Sequence, residues 1–213
     1  MKGITALVVG ALLVLATGRA QAGCITLSSP ELLTATVVQT NNWDAEAGRL
    51  QTAAWPEAGV LFAQSLSRPL DPEAPPYYVY SYVGVKATDI GKSDLSAADS
   101  FDLKLANVNN SPWELALFVQ AGGATYLSDY QVVPNQSSPV DLRDFSLDLD
   151  LLGDARSNVD FLGFAVRSML VNDPSNPDAY HVVAAPVPEP GTVLLLGLGC
   201  LGLAIYCKRR GNG

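Results

Sequence analysis

Apolar and polar residues alternate strictly along Phe145-Ser146-Leu147-Asp148-Leu149-Asp150-Leu151 and again along Phe101-Asp102-Leu103-Lys104-Leu105. A period of two puts every second side chain on one face of an extended chain, so these runs predict strands with one buried and one wetted face. Trp113, Leu115, Leu117 and Val119 likewise share one face of Trp113–Gln120. Thr34–Thr40, Tyr77–Val85, Val159–Val171 and Tyr180–Ala184 complete the set, and Val159–Val171 is apolar on both faces, as a central strand would be. Asn107–Pro112 reads as a hairpin loop. Helical periodicity is weak; its best stretch is Asp44–Ala54, ending before Pro56. Six to eight short strands between polar turns predict an all-β domain, an antiparallel β-sandwich or jelly roll. Arg68–Pro76 and Asn172–Asp178 are expected as surface loops.

Charge divides the 213 residues into three compositions. Residues 1–22 and 187–213 are apolar with basic side chains, whereas residues 23–186 carry 20 acidic and 8 basic side chains, a net of −12. A body that acidic excludes nucleic acid as a partner, because phosphate contacts need clustered Lys and Arg. It also excludes adsorption to an anionic bilayer surface. With one His, His181, no site needing two imidazoles can form, and no Cys pair stands at zinc or redox spacing.

Met1-Lys2 begins the chain with a positive charge, an uncharged apolar run follows from Ile4 to Ala16, and Ala20-Gln21-Ala22 supplies small residues for a cut between Ala22 and Gly23. This is the pattern of a secretory signal peptide, to be removed by signal peptidase. Cys24 follows at once. A lipidated Cys of a bacterial lipoprotein has a small residue before it, as here, but Gln21 stands where Leu is usual and Arg19 interrupts the approach. A lone thiol just past the cleavage site is the plainer expectation.

Near the other end stand Val187-Pro188-Glu189-Pro190-Gly191, an uncharged stretch from Thr192 to Cys207, and the cluster Lys208-Arg209-Arg210. The prolines remove backbone donors and favour an extended hinge. Sixteen uncharged helical residues would rise about 24 Å, a short but usable bilayer span. The cations behind it belong on the cytoplasmic side. Hinge, span and basic cluster, in that order, closely resemble the PEP-CTERM sorting signal of Gram-negative bacteria that secrete exopolysaccharide. The resemblance covers residues 187–210 alone. It implies recognition through Pro188, Glu189 and Pro190 and removal by a membrane protease of the exosortase type. The expected organisation is therefore a signal peptide over 1–22, an exported β domain over 23–186, and a sorting tag over 187–213 with a transmembrane helix at about 192–207.

Within the body, Tyr78, Tyr80 and Tyr82 project from one face of a strand. Exposed, such a row would stack on sugar rings; buried, it would fill the core. Trp43, Trp55 and Trp113 carry the same ambiguity. Asp148-Leu149-Asp150 opens like a calcium loop, but Leu152 occupies the fifth position and no Glu stands at the twelfth, so a solvated acidic face is expected and no cofactor is implied. His181 has no Ser or Cys nucleophile motif around it, and no phosphate loop or dinucleotide fingerprint occurs. The body is thus expected to be structural or adhesive in an exopolysaccharide or biofilm matrix and not an enzyme, the alternative being a glycan-binding module or a polysaccharide-acting hydrolase. Its expected route is across the inner membrane, transiently held there by the tag, to the cell surface or medium.

Overall fold

The structure, a computed structural model, describes residues 23–41, 49–55, 59–66, 77–109, 112–134, 141–170 and 178–187. The expected signal peptide and the expected span at 192–207 lie outside these residues. Among the described residues no helix is long and apolar enough to cross a membrane.

The described chain forms twelve strands: β1 (Gly23–Ile25), β2 (Thr36–Thr40), β3 (Gln51–Trp55), β4 (Gly59–Leu66), β5 (Tyr77–Lys86), β6 (Ala98–Asn107), β7 (Trp113–Ala121), β8 (Ala124–Leu127), β9 (Gln131–Val133), β10 (Arg143–Asp148), β11 (Val159–Leu170) and β12 (Asp178–Pro186). One sheet has the order β3–β4–β12–β6–β10, and β1 shares with β12 one edge of β6. The other has the order β2–β5–β11–β7–β8, with β9 continuing the edge of β8 along β7. The β1–β6 pair is parallel and every other pair is antiparallel. From β4 to β7 each connection crosses between the sheets, β8 and β9 stay with β7, and β10, β11 and β12 cross again. That connectivity is the double Greek key of a jelly roll.

One continuous core lies between the sheets. Period two supplies it from both sides: Phe62 on β4, Phe101 and Leu103 on β6, and Tyr180 on β12 face Val83 on β5, Phe164 on β11 and Trp113 on β7. Phe62 and Phe164 meet edge to face across the sandwich at 5.0 Å, as do Trp113 and Tyr180 at 5.8 Å. Burying each such ring is worth about 1.5–3 kcal/mol, enough to fix which face of every strand turns inward. At the β7–β8 turn, Gly122 and Gly123 take φ of 58° and 80°, the pair of positive values that a tight two-residue hairpin demands.

Four local expectations are corrected. The strands number twelve among the described residues, not six to eight. Asn107–Pro112 is no hairpin loop, because β6 and β7 belong to different sheets; the buried Asn107 amide instead donates to the Val133 carbonyl at 3.0 Å. The alternation at Phe145–Leu151 leaves the sheet after Asp148, where the Asp148 carboxylate accepts from the Asp150 N–H at 2.8 Å and caps a 3-10 stretch over Leu149–Ser157. Of the expected helix Asp44–Ala54, the described part from Gln51 onward pairs with β4 as a strand. Cross-strand pairing there overrides the helical preference of Ala53 and Ala54.

Candidate functional site

On β5, Val79, Ser81, Val83 and Val85 are buried toward the core. Tyr78, Tyr80 and Tyr82 therefore project from the outer face of their sheet, where Tyr78 is 37% exposed and the other two are half-buried. Of the two arrangements open to the Tyr row, the structure takes the outward one. Trp113, by contrast, is core.

Register gathers further side chains around the row. Tyr80 lies opposite Arg167 of β11, and Arg167 lies opposite Glu114 of β7. The Arg167 guanidinium forms an ion pair with the Glu114 carboxylate and sits over two rings, 4.3 Å from the Tyr78 centroid and 3.7 Å from that of Tyr130. Tyr82 packs on Tyr80 at 5.4 Å and stacks on Phe118 at 5.2 Å. Ala165 and Ala116 sit across from Tyr82 and leave the rings room to lie down. Gly84 does the same for Phe118, whose Cζ would stand 2.8 Å from any Cβ at that position. Burial, together with the neighbouring Tyr82 hydroxyl, pushes the Tyr130 phenol well above its ordinary pKa, so it stays a neutral hydrogen-bonding group at any physiological pH. Polar groups border the rings: Gln39 Nε2 donates to the Tyr80 hydroxyl at 3.3 Å. The Asn41 side chain pins the edge by donating to the Tyr78 carbonyl at 2.9 Å and accepting from the Tyr80 N–H at 2.8 Å.

The other residues singled out in the sequence lie elsewhere. Asp148 is engaged as the cap already described, and Asp150 pairs with Arg156 at 2.9 Å. Among the described residues no three His, Cys, Asp or Glu side chains come together as a metal cluster. His181 is half-buried on the outward side of β12, paired with Ala63 of β4 in the same sheet, which is not the sheet that carries the Tyr row. Gly23 opens β1, Ala22 lies outside the described residues, and the Cys24 thiol donates to the Asp102 carboxylate at 2.8 Å. Pro188, Glu189, Pro190, Lys208, Arg209 and Arg210 also lie outside.

What the structure does place is the root of the tag. β12 pairs with β6 as far as Pro186 opposite Leu103, and the Val187 N–H donates to Thr26 Oγ1 at 3.1 Å. β1 lies farther along the same strand, with Gly23 opposite Ala98. Leu103 and Ala98 stand five positions apart on β6, roughly 17 Å, and β12 runs toward the Ala98 end, where β1 begins, so the tag is directed to that end of the sandwich. The aromatic cluster is displaced toward the other end. Lys86 pairs with Phe161, while Arg156, just upstream, donates to the Ala98 carbonyl at 3.2 Å. The Lys86 end of β5 is thus the tag end, and Tyr78 is remote from it.

Comparison with known families decides what the segment after Pro186 is. Residues 186–210 match the family model described as the PEP-CTERM protein-sorting motif. The chain carries a PEP-CTERM sorting tag. The tag implies processing by exosortase, hence export and membrane anchoring through this C-terminal segment before cleavage. No curated relative matches the sequence. Among solved structures, the chain is similar to one described as a structural analysis of an exo-β-agarase, with 11% identity and a TM-score of 0.39. That likeness covers 76% of this chain and only 25% of the other, and at that score it carries neither fold nor activity across.

Proposed function

We propose that this protein is an exported adhesive component of the exopolysaccharide matrix, delivered by exosortase processing of its tag, with a body that binds and does not catalyse. The observation that carries the proposal is the sorting tag, joined directly to the last residue of β12. Only residues 187–191 separate that strand from the expected span, at most about 17 Å of extended chain. The precursor is therefore held close to the membrane by its tag end, with the opposite end outward. Cleavage near Pro190 frees the acidic body to the surface or medium and leaves the basic stub behind.

The test follows the mass of an internally tagged protein in cells with and without the exosortase. Replacing Pro188, Glu189 and Pro190 together is expected to trap the precursor in the inner membrane, whereas Leu194→Val leaves processing intact. Mature protein that still contains Lys208–Arg210 would mean the segment is a permanent anchor and would refute the proposal.

A further inference from the structure

We propose that the outer face formed by β5, β11 and β7, at the end remote from the tag, is a binding platform for a neutral glycan. The proposal deepens the matrix reading above, and its test is independent of how the protein is sorted. Three observations lead to it. The first is an aromatic surface outside the core: Tyr78 is more exposed than any described aromatic of the interior, and Tyr80 and Tyr82 continue its row. Flat rings offer the C–H faces of pyranoses a stacking partner, while their hydroxyls and the bordering amides reach sugar hydroxyls.

The second observation is rigidity. Arg167 is clasped between Tyr78 and Tyr130 and tied to Glu114, and Tyr82 rests on Phe118. Rings already held in place lose little further freedom on binding, which is how a shallow surface gains affinity. Arg167 serves here as a spacer that sets the rings and not as an anion receptor, since Glu114 occupies its Nε and the two rings cover its faces.

Charge is the third. Arg167 and Glu114 cancel within the cluster, and the surrounding body is at −12. Polyanions are repelled and a neutral polymer is not. The location agrees: a ligand seated near Tyr78 clears the membrane even while the tag holds the other end.

The experiment is affinity electrophoresis of the mature protein, purified from the producing cells, in gels containing laminarin, dextran, xyloglucan or agaro-oligosaccharides. Alginate serves as the polyanion and the cells' own exopolysaccharide is included. Retardation by at least one neutral glycan is expected, with none by alginate. Tyr78→Ala and Tyr80→Ala should each weaken it about tenfold, the worth of one ring stack. Tyr78→Phe, which keeps the ring, and Leu151→Ala, on an exposed site at the tag end, should leave it unchanged. Thermal melts of each variant separate loss of binding from loss of fold. The inference is overturned if no neutral glycan retards the protein, if alginate alone does, or if folded Tyr78→Ala and Tyr80→Ala bind normally. It is equally overturned if the protein is a dimer that Tyr78→Ala dissociates, since a second copy would then be what covers the face. Binding that persists in a protein the cell fails to process would leave this inference standing and remove the sorting proposal instead.

Discussion

Replacing Arg167 by Leu probes whether the outer cluster is one interlocked unit. The side chains of Arg167 and Glu114 are 29% and 26% exposed, so their ion pair is largely shielded from water. A hydrogen bond to a charged group in such a place is worth about 1.5–3 kcal/mol. The two ring contacts at 4.3 and 3.7 Å add about 0.5–1 kcal/mol each. Leu keeps much of the apolar stem, so Arg167→Leu should destabilise by about 3 kcal/mol. Glu114→Gln, which retains the shape and loses the charge, should cost about 1–2 kcal/mol. Once Arg167 is gone, Glu114→Gln has no partner left to lose, and the double variant should resemble Arg167→Leu alone. The resulting coupling is about 1.5 kcal/mol, far above the few tenths seen for independent sites. Urea denaturation of the mature protein, followed by circular dichroism, measures all four corners of the cycle. Added salt should erode the coupling only modestly, because the pair is shielded. Additivity within about 0.5 kcal/mol would show that the contacts are incidental and that nothing locks the rings in place.

Acid should loosen the short helix Ser29–Leu32, which follows β1 and carries Glu31. Partial burial pulls the Glu31 pKa upward, but the Lys92 ammonium at 2.6 Å and the Ser28 backbone and hydroxyl outweigh it and hold it below the usual 4.5. A depressed carboxylate stabilises at neutral pH and loses that contribution as pH falls from its unfolded value through its folded one. Glu31→Gln should therefore cost about 1 kcal/mol at pH 7 and flatten the acid limb of the stability curve; an unchanged acid limb in urea titrations would count against it. In the core, Tyr180→Phe removes the phenol that donates to Gln64 Oε1 at 2.9 Å while keeping the ring against Trp113. The loss should be about 1 kcal/mol, lowering the melting temperature by roughly 2–4 °C, and a variant as stable as the wild type would mean that hydrogen bond adds nothing net.

The strands legible in the sequence were those with contrast between their faces. Phe101–Leu105 buries one parity and half-covers the other, so the pattern gives both strand and orientation. In Tyr77–Val85 the parity is just as clear, but Tyr on one side and Val on the other are both apolar enough to be core. Only the small residues opposite, Ala165 and Ala116 across from Tyr82, tell the outer face from the inner, and that opposition exists in space alone. Arg167, Glu114 and Tyr130 escaped notice for the same reason, since three strands must pair before they meet. β4 was missed because Leu61 and Ala63 interrupt its buried Val60, Phe62 and Leu66 with further apolar residues. β8 and β9 are too short to show a period. The tag needed no folding to be recognised, because its motif is contiguous in the sequence, at residues 186–210.

That contrast bears on how tag and body can work as separable parts. The pairing of β12 with β4 ends at Ala184 and that with β6 at Pro186, and the Val187 N–H is bound by Thr26 from within the body. A peptide bond broken at Pro190 would therefore break no strand pairing among the described residues, and both sheets would persist without the tag. Cleavage can then control location without controlling fold. The outer cluster gains from the same arrangement. It is built on β5, β7 and β11, none of which pairs with β1 or β12, the strands at the start of the body and at the root of the tag. A ligand bound there would pull on the sheet opposite the one from which the tag issues, and the load would reach the tag through the packed core, where Phe62 meets Phe164 and Trp113 meets Tyr180, and through the connections that cross between the sheets. Under the adhesive function proposed above, this placement matters, because a contact that unzipped the strand beside the tether would detach the protein instead of holding it.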